Sequence, residues 1–267
     1  MKCVILSGGR IDDYNYVKSL IAGRNRPDLV VCADSGLSHL GKLGLYPLPH
    51  NCQGLIVGDA DSSDPAQIRS YEAEGFGIVP FPVKKDFTDT ELAANEAIKR
   101  NCSSILVLGA LGGRFDHSVA NAILLVKLAK RGVRAVIADE NNFMTAIAGA
   151  LEIDLYDILS SFLGFGLNDG ANSGAKANVS SDVNVSASSK ANANTYSGAN
   201  AQHSEYNLSL FAIAGPVQGV TVSGLAYPLD DFSMDADYTT GVSNAFSRRF
   251  ASVSVKSGYL LVIASRD

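Results

Sequence analysis

The chain is poor in the features that would direct it to nucleic acid, to a membrane or to an oxidising compartment. No stretch of it forms a basic block, and 22 Lys and Arg against 27 Asp and Glu leave a net charge of −5 over 267 residues. Nucleic acid is therefore not expected as the main partner. No apolar run is long enough to span a bilayer, and the run from Cys3 to Leu6 stops at Ser7-Gly8-Gly9, too soon for a signal-peptide core. Cysteine is scarce and scattered: Cys3, Cys32, Cys52 and Cys102 form no C-x-x-C pair and have no histidine spacing that would complete a zinc site. The expectation is a cytoplasmic protein with reduced thiols and no membrane association. What is present is enough length for one large domain or two modest ones, with a core that needs no staples.

The first half alternates short apolar runs with segments of helical period, the sequence form of a parallel sheet flanked by helices. Strands are predicted at Cys3 to Leu6, Leu29 to Ala33, Gly54 to Val57, Ile78 to Phe81, Ile105 to Leu108 and Ala135 to Ala138. Most are too continuously apolar to be half-exposed, so cover on both faces is expected. A helix is predicted from Thr90 to Arg100, with Thr88 and Glu91 at capping-box spacing. Another runs from about His117 to Arg131, and Pro65 fits the first position of a third with Asp64 as its cap. From Leu208 onward the pattern changes to β-rich runs separated by Gly, Pro and Ser: Leu208 to Ala214, Gly219 to Val222, Phe250 to Val255 and Tyr259 to Ile263. That predicts an antiparallel sheet or sandwich. Between the halves lies an Asn, Ser, Ala and Gly tract, 166–204, read as a disordered insertion.

The chemistry gathers at predicted strand ends. Val57-Gly58-Asp59-Ala60-Asp61-Ser62-Ser63 puts two carboxylates on one side of an extended chain. They either shape a turn or share a cation. Asp64 already explains the helix cap and Gly58 the turn, so an oxygen-rich Mg²⁺ site is preferred. Lys84-Lys85-Asp86-Phe87-Thr88-Asp89-Thr90-Glu91 offers a second acidic group, two lysines and a helix N-terminus suited to phosphate. In Gly109-Ala110-Leu111-Gly112-Gly113-Arg114-Phe115-Asp116-His117 the glycines permit close backbone approach and Arg114 adds a fork of donors. Here Asp116 could be only a helix cap and His117 only a first-turn residue. This is neither a Walker loop nor the dinucleotide fingerprint. Ser7-Gly8-Gly9-Arg10 repeats the arrangement, and Ala33-Asp34-Ser35-Gly36 adds a polar loop. Together these are the parts for Mg²⁺-assisted transfer of a phosphoryl or pyrophosphoryl group, at the strand-end crevice where open parallel sheets bind ligands.

Read as an ordered set, the motifs resemble the thiamine pyrophosphokinase family. They are Cys32-Ala33-Asp34-Ser35-Gly36, Val57 to Ser62, Lys85 to Glu91, Leu111 to His117, Gly224-Leu225-Ala226-Tyr227-Pro228-Leu229, Gly241-Val242-Ser243-Asn244 and Val253 to Gly258. The resemblance implies an α/β nucleotide-binding catalytic domain at 1–150 with a mostly parallel sheet and flanking helices. A linker or helix at 151–165 and the insertion at 166–204 then lead to a thiamine-binding antiparallel β-sandwich domain at 205–267. It also implies a homodimer with thiamine bound across the subunit boundary, and transfer of the β,γ-diphosphate of ATP to the thiamine hydroxyl. By position, Asp59, Asp61 and Asp86 or Asp89 become the metal and phosphate-handling acids, with Arg114 beside them. Asp34, Ser35, Lys85, Thr88, Gly112, Gly113, Arg114, Asp116 and His117 become the nucleotide contacts, and Tyr227, Ser243 and Asn244 the thiamine contacts. For Tyr227, packing inside the sandwich is the competing reading. Ala60 stands where the family commonly has a bulky aromatic, and Met234-Asp235-Ala236-Asp237 departs from its usual run. A phosphohydrolase using the same aspartates, or a nucleotide- or thiamine-binding protein without catalysis, are the alternatives.

Overall fold

The computed structural model describes residues 1–58, 65–81, 86–164 and 205–267, with the backbone alone for 65–68. Asp59, Asp61 and Lys85, the proposed cap Asp64 and the 166–204 tract lie outside the described residues. Six strands run parallel: β1 (Lys2–Leu6), β2 (Leu29–Ala33), β3 (Gln53–Gly58), β4 (Phe76–Pro80), β5 (Ser104–Leu108) and β6 (Arg134–Ala138), in the spatial order β6-β5-β1-β2-β3-β4. They match the apolar runs of the sequence to within two residues at each end. The reason is visible in their burial. Cys3, Ile5, Leu29, Val31, Ile105 and Val107 face one core, and Val4, Leu6, Val30, Cys32, Leu106 and Leu108 face another. Alternate residues are buried on opposite faces, so few positions in the middle of β1, β2 and β5 are free to be polar.

Helices cover the first of these faces. There α4 (Asp89–Lys99) presents Leu92, Ala93 and Ala97, and α5 (Phe115–Ala129) presents Leu124, Leu125 and Leu128. Each of these buried leucines stabilises the fold by about 1.5–3 kcal/mol relative to leaving it in water. The Thr88 cap forms as expected, its Oγ1 accepting from the Glu91 N–H at 3.2 Å. Only half of a capping box results, because the Glu91 carboxylate is paired with Lys127 of α5. On the opposite face lie α1 (Tyr14–Leu20), a 3₁₀ helix at Asp34–His39, α2 (Leu40–Leu43) and α6 (Ile158–Phe162). Another helix, α3 (Pro65–Ala73), begins at Pro65 and packs Tyr71 edge-on against Tyr46 and Phe76.

Beyond β6 the strand direction reverses. β7 (Asn142–Ile147) pairs antiparallel with β6, β14 (Leu260–Ser265) with β7, β9 (Asn207–Phe211) with β14, and the short β12 (Asn244–Ala245) with β9. Ten described strands thus form one sheet. A second, antiparallel sheet has the order β11-β10-β13-β8, from β8 (Ala150–Asp154), β10 (Val217–Ser223), β11 (Leu229–Met234) and β13 (Phe250–Ser254). It contributes Val220, Val222, Ala251 and Val253 to the core that also holds Leu208, Leu210 and Val262 of the long sheet. The chain turns at Ala148-Gly149 from β7 in the first sheet to β8 in the second, and strands from both sides of position 150 share the first sheet, which β9, β12 and β14 join from beyond it. Among the described residues no helix is long and apolar enough to cross a membrane.

Candidate functional site

Strand order reverses between β1 and β5, which lie side by side in the register Leu6↔Leu108. At such a switch point the connections leave in opposite directions and open a crevice outside the strand ends. Here the crevice is a cleft of about 360 Å³, bounded by Ser7 to Arg10 after β1, Ala33 to Ser35 after β2 and the loop after β5. The first turns of α4 and α5 complete it through Thr88, Asp89 and Thr90 and through Arg114, His117 and Asn121. Two helix N-termini therefore bring positive dipole ends to one space.

Buried polar contacts hold the walls together. The Ser7 N–H donates to Leu108 O at 2.9 Å and the Gly9 N–H to Gly109 O at 2.7 Å, carrying the β1–β5 pairing on into the two loops. Ser7 Oγ and Thr90 Oγ1 lie 2.9 Å apart and join β1 to the start of α4, while Asn121 Nδ2 donates to Ala110 O at 2.8 Å. His39 sits beneath the junction, with Nε2 3.0 Å from Gly9 O and Nδ1 2.7 Å from Tyr14 Oη. A carbonyl only accepts, so Nε2 carries the proton and Nδ1 accepts from the Tyr14 hydroxyl. Lys42 Nζ donates in turn to that hydroxyl at 3.5 Å. Burial, and secondarily the Lys42 charge, lower the His39 pKa below its ordinary value and favour this neutral form.

At the rim, Arg114 reaches Asp116 twice, Nε to Oδ1 at 3.2 Å and Nη2 to Oδ2 at 2.6 Å. That pairing raises the Arg114 pKa and holds Asp116 below the usual carboxylate range. Both groups remain in solvent, so the pair aims the guanidinium rather than stabilising the fold.

Eight candidate residues line this one cleft: Asp34, Ser35, Thr88, Asp89, Gly112, Gly113, Arg114 and His117. Asp116 stands just behind it as the partner of Arg114. Asp86 is exposed in the loop before α4 and is not part of the lining. Among the described residues no three His, Cys, Asp or Glu side chains are grouped to hold a metal. Tyr227, Ser243 and Asn244 form a separate group away from the cleft. Asn244 Oδ1 accepts from the Tyr227 N–H at 2.9 Å, its Nδ2 donates to Tyr227 O at 2.6 Å, and the Ser243 N–H donates to Ser209 Oγ at 3.0 Å. Tyr227 is 74 % exposed between β10 and β11, so it does not pack within the sandwich. The sequence reading did not single out Thr90, Asn121 or His39. Asn121 follows His117 by four residues on α5, and that spacing alone places both on one helix face. Nothing local marks His39, whose hydrogen-bond partners, Gly9 and Tyr14, lie elsewhere in the chain.

Known proteins resemble this chain in sequence and in fold. The family model for the thiamin pyrophosphokinase catalytic domain matches residues 24–137, and that for the thiamin pyrophosphokinase vitamin B1 binding domain matches residues 199–260. Together these stretches cover about two-thirds of the chain. A thiamine pyrophosphokinase of Bacillus subtilis (strain 168) is 28 % identical over 138 residues, 52 % of this chain and 60 % of that protein. Thiamine pyrophosphokinase 1 of Oryza sativa subsp. japonica is 32 % identical over 132 residues, 44 % of this chain and 49 % of that protein. The chain thus spans about half the length of these curated relatives. Among solved structures, the Bacillus subtilis thiamine pyrophosphokinase aligns with a TM-score of 0.67 at 20 % identity, covering 100 % of both chains. The Candida albicans thiamin pyrophosphokinase aligns at 0.64 and 16 % identity over 100 % of this chain and 89 % of that one. At these identities the likeness is one of fold.

Proposed function

Because the chain belongs to the thiamine pyrophosphokinase family, we propose that it transfers the β,γ-diphosphate of ATP to the hydroxyl of thiamine, giving thiamine diphosphate and AMP. The observation that carries this reading is the cleft at the switch point, where two helix N-termini, two glycine loops and Arg114 converge. A polyphosphate tail laid there meets dipole ends and a guanidinium fork. The thiamine hydroxyl attacks the β-phosphorus in line and AMP leaves. Arg114, aimed by Asp116, meets the charge that develops on the phosphoryl oxygens.

Mg²⁺ fits the chemistry of the donors: within the cleft Asp34, Asp89, Ser7 and Thr90 offer oxygens, the preference of a hard cation. Gly58, the residue before Asp59, abuts the backbone of Asp34. Asp59 and Asp61, with Asp86 or Asp89, would hold the ion. When bound, it neutralises charge between phosphate oxygens. Tyr227, Ser243 and Asn244 take the thiamine, the exposed phenol ring giving a face for its flat cation. None of the three lines the cleft of its own chain, which supports a homodimer in which one subunit's thiamine contacts serve the other's cleft. The four cysteines are all free, consistent with a cytoplasmic setting.

The test is to incubate the protein with ATP and MgCl₂, with and without thiamine, and to measure AMP and thiamine diphosphate. Both products should appear only when thiamine is added. AMP released equally without thiamine would replace this reading with hydrolysis, and absence of both products would overturn it.

A further inference from the structure

Two loops of this chain carry the same signature. Gly8-Gly9-Arg10-Ile11-Asp12 follows β1, and Gly112-Gly113-Arg114-Phe115-Asp116 follows β5. The strands are neighbours, so the two signatures leave the sheet side by side. In each, the arginine Nε donates to Oδ1 of the aspartate two residues on, and both guanidinium groups stand in solvent, 77 % exposed for Arg10 and 73 % for Arg114. Both arginines line the cleft, and no other permanently charged cation does so among the described residues.

The base of the first loop is held from below. Its Gly9 N–H is bound to Gly109 and its Gly9 carbonyl to His39, which places Arg10 on a fixed root. Asp12 is anchored too, its backbone N–H donating to Glu140 Oε1 at 3.1 Å. An exposed pair of this kind contributes little to stability, so the guanidinium is free to exchange a carboxylate for a phosphate.

We propose that Arg10 is a second polyphosphate-binding residue, gripping the anionic tail of the nucleotide from the β1 side of the cleft as Arg114 does from the β5 side. The proposal rests on the reading of this cleft as the nucleotide site. The alternative, a surface ion pair with Asp12 alone, accounts for neither the repeated signature nor the position on the cleft wall.

The experiment compares the full-length protein with Arg10→Gln and Arg10→Lys, titrating ATP, inorganic tripolyphosphate and AMP, each with MgCl₂, in a calorimeter. Arg10→Gln should weaken ATP and tripolyphosphate at least about fivefold while AMP changes less than about twofold. Arg10→Lys should fall between, because a lysine keeps the charge and loses the fork. In turnover, KM for ATP should rise with little change in kcat. Loss of affinity below fivefold for both polyphosphates, or equal loss for AMP, overturns the proposal. A wild-type protein that binds ATP but forms no thiamine diphosphate sinks the diphosphotransferase reading alone, whereas one that binds neither ATP nor tripolyphosphate sinks both.

Discussion

After β1, a Cβ on Gly8 would lie 1.9 Å from Ser35 Oγ and one on Gly9 2.4 Å from the Gly109 carbonyl oxygen. After β5, Gly112 and Gly113 have open space around the same position, yet their backbones run at φ of +78° and +74°. The same Gly-Gly-Arg-x-Asp signature thus needs its glycines for two unrelated reasons. In the first loop a side chain would strike a neighbouring wall. In the second it would force a left-handed conformation that L-residues resist. The first loop is a packed joint of the cleft and the second an open rim. A signature read by eye says that glycine is required, but not whether crowding or backbone conformation requires it.

The largest contrast should come from alanine in the two loops. Gly9→Ala meets a backbone oxygen that no rotamer change moves aside, and should lose about 3 kcal/mol, the upper end for overpacking. Gly112→Ala should lose about 1–2 kcal/mol, the cost of one left-handed residue. Urea denaturation of both variants measures this, and equal losses would break the distinction between joint and rim.

Next in size is the division of labour between the arginines. If the rim loop meets developing charge while the joint loop only grips, Arg114→Gln should lower kcat by about 100-fold, the scale seen when one transition-state donor is removed. Arg10→Gln should act mainly on KM. Steady-state kinetics on both would show whether the two instead act alike.

The smallest effect concerns pH and the joint alone. The folded-state pKa of His39 lies below its ordinary value, so as pH falls the unfolded chain takes up this proton before the folded one does. Its contribution to stability is complete above about pH 6.5 and is lost as pH drops from there towards the folded pKa. The charged and titratable groups facing it are Lys42 and Tyr14. His39→Gln keeps a donor for Gly9 O and carries no titration. Its melting temperature should decline less than that of the wild type between pH 7 and 5.5, and parallel curves would remove His39 as the source.

The strands most sharply legible from sequence, β1, β2 and β5, were those buried on both faces, because continuous burial leaves few polar positions to blur the run. β7, β8 and β11 went unread for the opposite reason. In β11, Leu229–Met234 carries Asp230, Asp231 and Ser233 on an exposed edge, and its pairing with β10 is broken by register shifts. β7 and β8 take their identity from a turn between two sheets that no local pattern announces. At the site, glycines and acids after strands were visible because turn chemistry is local. Thr90 and His39 were not, since each matters through a partner, Ser7 or Gly9, far away in the chain.

Periodicity and turn residues are properties of neighbouring positions, and they were enough to settle an α/β sheet whose polar loops follow its strands. Which loops meet depends on the order of strands across the sheet. Placing β1 beside β5 pairs residues about a hundred positions apart, and it is this pairing that sets two like loops and two helix ends around one cleft. The joining of the C-terminal strands to the same sheet was likewise decided in three dimensions, once β7 reversed direction and offered β14 an antiparallel edge.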